Sequence, residues 1–184
     1  MAKACVLLAD GFEEIEAITV IDVLRRVGVE VTAVGVRGLD VRGGHGVKLH
    51  ADGLLRDLQQ VPWDAVIVPG GSKGATTLRD DPDTQVFLRA QALRQSVLLA
   101  AICAGPIALA PAGLLEGRTV TCYPGFEGEL AGARVSHEAV VTDGRLITSR
   151  GVGTAMTFAL ALAERLTGKA EMDEHRRKML VTPV

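Results

Sequence analysis

The sequence predicts an α/β fold: a doubly wound, mostly parallel sheet sandwiched by helices, with a small hairpin at one edge. Three observations lead there. Short apolar runs alternate with longer segments of helical period from Lys3 to Leu166. The first two runs, Lys3 to Ala9 and Val29 to Val36, flank a helical segment and so form a right-handed βαβ unit. The unusual segments, rich in Gly, Glu or Cys, all follow predicted strands. In a fold of this kind ligands collect at the carboxyl ends of the strands, where strand order reverses.

The elements follow in order. After the first strand, Asp10-Gly11 turns the chain into a helix from Glu13 to Val27. Ile15, Ile18, Ile21 and Val23 or Leu24 mark its apolar face, and Gly28 caps its end. The segment Gly38 to Leu58 is irregular, with Gly43-Gly44-His45-Gly46 as the turn of the edge hairpin. Asp64 to Val68 is a core strand closed by the loop Pro69 to Gly74. A helix from Asp83 to Gln95 precedes the next strand, which runs from Val97 to Cys103. Ala104-Gly105-Pro106 then turns the chain, and Pro106 to Leu115 carries enough Ala and Leu to continue as a helix. Thr119 to Thr121 is a short strand, and Ala139 to Thr142 pairs with Leu146 to Ser149 across Asp143-Gly144. Helices over Thr154 to Leu166 and Glu171 to Leu180 complete the chain, with residues 1–184 read as one domain.

Composition narrows the function. A formal net charge of −2 with scattered charges argues against nucleic acid or an anionic membrane surface as the main partner. Aromatic residues, at 3%, are too few for base-stacking platforms. No apolar run is long enough to span a membrane. The N-terminal segment is too brief and wrongly flanked for a signal peptide. Cys5, Cys103 and Cys122 are odd in number and lack metal-ligand spacing, which favours a reducing cytoplasm over a disulfide framework or a zinc site. Neither a metal nor a cofactor is expected.

The strand ends carry the chemistry. Cys103 falls at a strand-to-helix turn, where backbone N–H groups and a helix dipole favour a thiolate. On its own it reads equally well as a small buried hydrophobe. Glu13 and Glu14 suit the start of a helix through its dipole, whereas Glu16 lies one turn in and can reach the thiol. Gly70-Gly71 either cradles an oxyanion or meets a need for positive φ. No P-loop spacing follows, and Gly151-Val152-Gly153 precedes the last helix, not the first, which rules out a dinucleotide site. Cys122 is either a spare buried thiol or an oxidative partner of Cys103, and Cys5 belongs to the core. His45 and His50 lie near the pocket mouth or on the surface, and Arg150 binds an acidic group or pairs structurally.

Ala100-Ala101-Ile102-Cys103-Ala104-Gly105-Pro106 resembles the nucleophile elbow of the ThiJ/PfpI superfamily, in the branch holding the Parkinson-disease-associated protein and glyoxalase III. Gly11-Phe12-Glu13-Glu14-Ile15-Glu16, Val68-Pro69-Gly70-Gly71 and Thr148-Ser149-Arg150-Gly151-Val152-Gly153-Thr154 match other family motifs in order. The resemblance implies a flavodoxin-like sandwich, a homodimer, a reactive thiolate at Cys103 with Glu16 as carboxyl partner, and oxyanion donors from Gly70, Gly71 and Ala104. It also implies action on 2-oxoaldehydes such as methylglyoxal and glyoxal or on glycated adducts, or redox sensing and chaperone behaviour through oxidation of the thiol. Two positions depart from the pattern. Tyr123 stands where several members carry a histidine, so proton transfer rests on Glu16. Ala104 replaces the histidine of the protease-like branch, which argues against a peptidase.

Overall fold

The computed structural model describes residues 1–181. Its strands are β1 (Lys3–Leu8), β2 (Glu30–Gly35), β3 (Asp40–Arg42), β4 (Lys48–His50), β5 (Gly53–Leu54), β6 (Ala65–Val68), β7 (Leu98–Ile102), β8 (Thr119–Val120), β9 (Arg134–Val135), β10 (Val140–Asp143) and β11 (Leu146–Ser149). The helices are α1 (Glu14–Arg26), α2 (Leu55–Leu58), α3 (Ser72–Asp80), α4 (Pro82–Ala92), α5 (Ala155–Thr167) and α6 (Lys169–Lys178).

A central sheet runs in the order β10-β11-β7-β6-β1-β2-β5. All its neighbours are parallel except β10 with β11. Strand side chains alternate between faces, so consecutive residues of β1 enter different cores. Ala4, Val6 and Leu8 pack with Val20 and Leu24 of α1 and Phe158 and Leu162 of α5. Cys5 and Leu7 face the other way, toward Leu78 of α3 and Phe87 and Leu88 of α4. Cys5 is therefore a core residue, as its position in a buried strand predicts. Strand order reverses at β1 and β6, which places the crevice at their carboxyl ends beside β7.

Four local expectations change. The glycine hairpin forms, but β3 and β4 make a separate two-stranded sheet, and β5 takes the edge beside β2. Two amide bonds bind the hairpin over the β1–α1 turn instead, Gly11 N–H to Arg42 O at 2.7 Å and Gly44 N–H to Phe12 O at 2.8 Å. The helix expected over Pro106 to Leu115 shrinks to one 3₁₀ turn, Gly105–Ala108. Pro111 cannot donate a helical N–H and pushes Ala110 out of the helical region, and Gly113 turns the chain at φ +74°.

The loop after β6, in contrast, becomes α3 from Ser72 onward. Gly74 in its first turn marks a close approach rather than a break: a β-carbon there would lie 2.8 Å from the Phe12 nitrogen. The short strand expected at Thr119 forms and pairs with β9.

The fourth change concerns α1. Ile15 and Ile18 are 54% and 42% exposed, while Glu14, Glu16, Ala17, Val20, Ile21, Val23 and Leu24 are buried. The inward face runs through Glu16 and Ala17, Val20, then Val23 and Leu24, at helical spacing. A carboxyl occupies a core position, and two isoleucines are turned outward.

Candidate active site

Cys103 follows β7 directly and is held in the left-handed region at φ +63°. Among the described residues Leu180 is the other non-glycine with positive φ. Such a backbone costs on the order of 1 kcal/mol and persists only where the surroundings enforce it. Here they do so through two bonds, Cys103 N–H to Ser149 O and Tyr123 N–H to Cys103 O, each 2.9 Å. The thiol is thereby turned out of the strand into the crevice.

Glu16 reaches the same point from α1 and is wholly buried. Its Oε2 accepts the Gly70 N–H at 2.8 Å, and its Oε1 has no hydrogen-bond partner. Burial pushes its pKa up to about 7, against the lowering effect of the Gly70 N–H and of Cys103. Burial likewise drives the Cys103 thiol up, to about 12, and the Glu16 charge adds to this; the Ala104 and Gly71 amides oppose it. Two acidic groups in one apolar pocket retain a proton between them, because ionising both would place two like charges side by side away from water.

Gly70 keeps the pair in contact. A β-carbon there would lie 2.5 Å from both Cys103 Cβ and Glu16 Oε2, and 2.9 Å from Cys103 Sγ. Because its N–H is committed to Glu16, Gly70 is not an oxyanion donor, contrary to the expectation from sequence. The Ala104 and Gly71 backbone groups lower the thiol's pKa against its burial. Gly71 sits at φ +87°, close against Gly11 O.

The crevice above the thiol has a volume of about 590 Å³. Tyr123, Val152, His45 and Glu13 stand on its wall, together with Arg42 and Lys73. Tyr123 is half exposed and packs edge-on against Phe126, with ring centres 6.5 Å apart. His45 lies at the mouth with its side chain largely exposed, its Nδ1 3.0 Å from Glu14 Oε2 and 3.5 Å from Glu13 Oε2. Glu13, Glu14 and His45 could each offer one donor atom to a metal ion. Glu14 is already well occupied, however, since its Oε1 also accepts the His45 and Val47 amides. Burial raises the Glu14 pKa, but these bonds outweigh it and lower the value overall.

Other expected positions fall elsewhere. His50 pairs with Asp40 on the β3–β4 hairpin, away from the crevice. Arg150 leaves the crevice wall for His137, at 3.1 Å from Nη1 to Nδ1. Cys122 and Cys5 are buried and free, and Cys103 is free and half-buried. Sequence reasoning missed Arg42, Lys73 and the clamp made by Glu14. The glycines at 43, 44 and 46 were the available signal, because they allow the hairpin to close over the site.

A DJ-1/PfpI family model matches residues 2–165. The chain belongs to the DJ-1/PfpI family. It is 40% identical to protein dj-1beta of Drosophila melanogaster over 182 residues, covering 97% of each chain. It is 36% identical to a glutathione-independent glyoxalase of Caenorhabditis elegans over 169 residues, or 90% of this chain and 89% of the other. A DJ-1 superfamily protein of Salmonella typhimurium, solved as a cysteine-to-alanine mutant, superimposes with TM-score 0.95 at 33% identity across the whole of both chains. The DJ-1/PfpI membership thus agrees with the resemblance of the motifs and with a flavodoxin-like sheet. Among the described residues no helix is long and apolar enough to cross a membrane.

Proposed function

We propose that this chain is a cysteine-dependent enzyme acting on 2-oxoaldehydes or their adducts, of the glutathione-independent glyoxalase or deglycase type. The observation that carries the reading is the contact of a strained Cys103 with a buried Glu16 whose pKa is raised to about 7. The glyoxalase among its relatives supports the substrate class.

For methylglyoxal, Glu16 takes the Cys103 proton as the sulfur attacks the aldehyde carbon, and returns it to the new oxygen to give a hemithioacetal. The Gly71 and Ala104 amides, which lower the thiol's pKa, are the donors for the oxyanion that forms beside the sulfur. The Glu16 carboxylate then removes the hydrogen of that carbon as a proton and delivers it to the neighbouring carbonyl carbon, while the hydroxyl proton passes to the neighbouring oxygen. The product is a thioester of lactate, and water releases lactate and the thiol. No electron acceptor is needed, because one carbon is oxidised as its neighbour is reduced. Cys103→Ala should abolish lactate formation, by about a thousand-fold or more. Activity retained in this variant removes the nucleophile and the reading with it.

A second reading is favoured by one atom. Glu16 Oε1 is buried without a partner, and a protonated carboxyl there can donate to an oxygen on an oxidised sulfur, as a redox-responsive sensor or chaperone requires. Stoichiometric mass gain under peroxide without aldehyde turnover would select it.

The outward face of α1 completes the proposal. Ile15 and Ile18 are exposed, as are Val152 just before α5 and Met156 within it, and α5 packs on α1. We assign this apolar patch to a second copy of the chain, forming a homodimer with its interface at the rim of the crevice. Ile18→Glu should shift the protein to monomer in sedimentation; an unchanged mass would place the interface elsewhere.

A further inference from the structure

We propose that Arg42 and Lys73 make the crevice selective for aldehydes and aldehyde adducts that carry a carboxylate. The inference rests on Cys103 as the reacting centre and names the class of substrate it receives. Both cations stand on the crevice wall and flank one turn: the Arg42 carbonyl accepts the Gly11 amide, and the Lys73 stem packs against Gly11.

The charges of the crevice are unequally matched. Glu13 and Glu14 face His45, and Asp10 accepts the Arg42 backbone N–H at 2.9 Å. Neighbouring cations are also paired, Arg37 with Asp81 and Arg79 with Asp80 and Glu129. Arg42 and Lys73 alone on this wall make no ion pair among the described residues. The volume of about 590 Å³ lies in the range that holds drug-sized ligands and far exceeds a three-carbon aldehyde. A larger substrate therefore fits, with its carbonyl at the sulfur and its anionic group toward Gly11.

Charge selectivity can be read at Cys103 without turnover. Iodoacetate and iodoacetamide alkylate the same sulfur and differ in one charged group, so the ratio of their rates cancels changes in thiol reactivity. The ratio at the Cys103 peptide, measured by mass spectrometry, should exceed that of glutathione by about five-fold and fall as salt is added. Lys73→Gln should cut it by about three-fold, and adding Arg42→Gln should remove the preference, while Lys73→Arg should retain it. A ratio no higher than that of glutathione, or one unmoved by these substitutions, overturns the proposal. The ratio of kcat/KM for glyoxylate over methylglyoxal should fall in parallel in the glutamine variants. If neither aldehyde is consumed, the glyoxalase reading fails while the alkylation ratio still decides this one.

Discussion

Replacing Glu16 with glutamine should raise thermal stability at pH 8 and leave it almost unchanged at pH 5. The glutamine keeps an acceptor for the Gly70 N–H but removes a charge from a fully buried site. The folded-state pKa of Glu16, about 7, lies above the ordinary value of 4.5, so folding favours its protonated form. That contribution is complete below about pH 4.5 and is lost as pH rises through about 7. At pH 8 the wild type therefore carries a penalty of about 3 kcal/mol that the glutamine avoids. For a chain of this size the gain amounts to a melting temperature higher by about 5 °C or more. Turnover should move the opposite way, falling by roughly a hundred-fold or more as the proton carrier is lost. A melting temperature that is lower at pH 8 would show that the carboxylate is the stabilised form.

Gly70→Ala should damage the protein and its chemistry together. The added carbon would lie 2.5 Å from Cys103 Cβ and Glu16 Oε2, and neither neighbour is the free end of a flexible chain. Both side chains are fixed, one by a strained turn and the other by a bond to the Gly70 amide itself. Overpacking of this kind costs about 1–3 kcal/mol, and the displacement it forces falls on the reacting groups. We expect a lower melting temperature and aldehyde turnover below one hundredth of wild type. Gly128→Ala is the control, since a β-carbon there meets nothing within 4 Å. Equal behaviour of the two variants would show that the space around Gly70 is more forgiving than its contacts indicate.

The fold was legible where local pattern and burial agree. The runs at β1, β6 and β7 are apolar because both faces of a parallel sheet are covered, and they stand in the sequence as near-continuous stretches of Val, Leu, Ile and Ala. The hairpin of β10 and β11 was signalled by Asp143-Gly144, and the turn needs positive φ at Gly144. Pattern failed where a long-range contact overrides it. Gly74 resembles a breaker but permits α3 to lie against Phe12. Ile15 and Ile18 fit a buried stripe, yet the space beneath that turn of α1 is taken by Glu14 and Glu16.

The site divides in the same way. Cys103 and Glu16 could be named from residue type and motif, and the structure brings them together at Gly70. The assignment of Gly70 as an oxyanion donor could not be tested locally, because its amide is claimed by a residue 54 positions away in sequence. The same holds for Arg150, which pairs with His137, and for Arg42 and Lys73, which make no ion pair among the described residues and line the crevice.

By itself, then, the order of residues determined the layered α/β architecture and the strand-end placement of the thiol, since both follow from periodicity and turn chemistry within short windows. Tertiary structure alone decided which amide serves which acceptor, which isoleucines face outward, and which charges line the crevice. Those outcomes depend on distances between segments far apart in the chain, where one claimed N–H or one close approach redirects everything packed beside it.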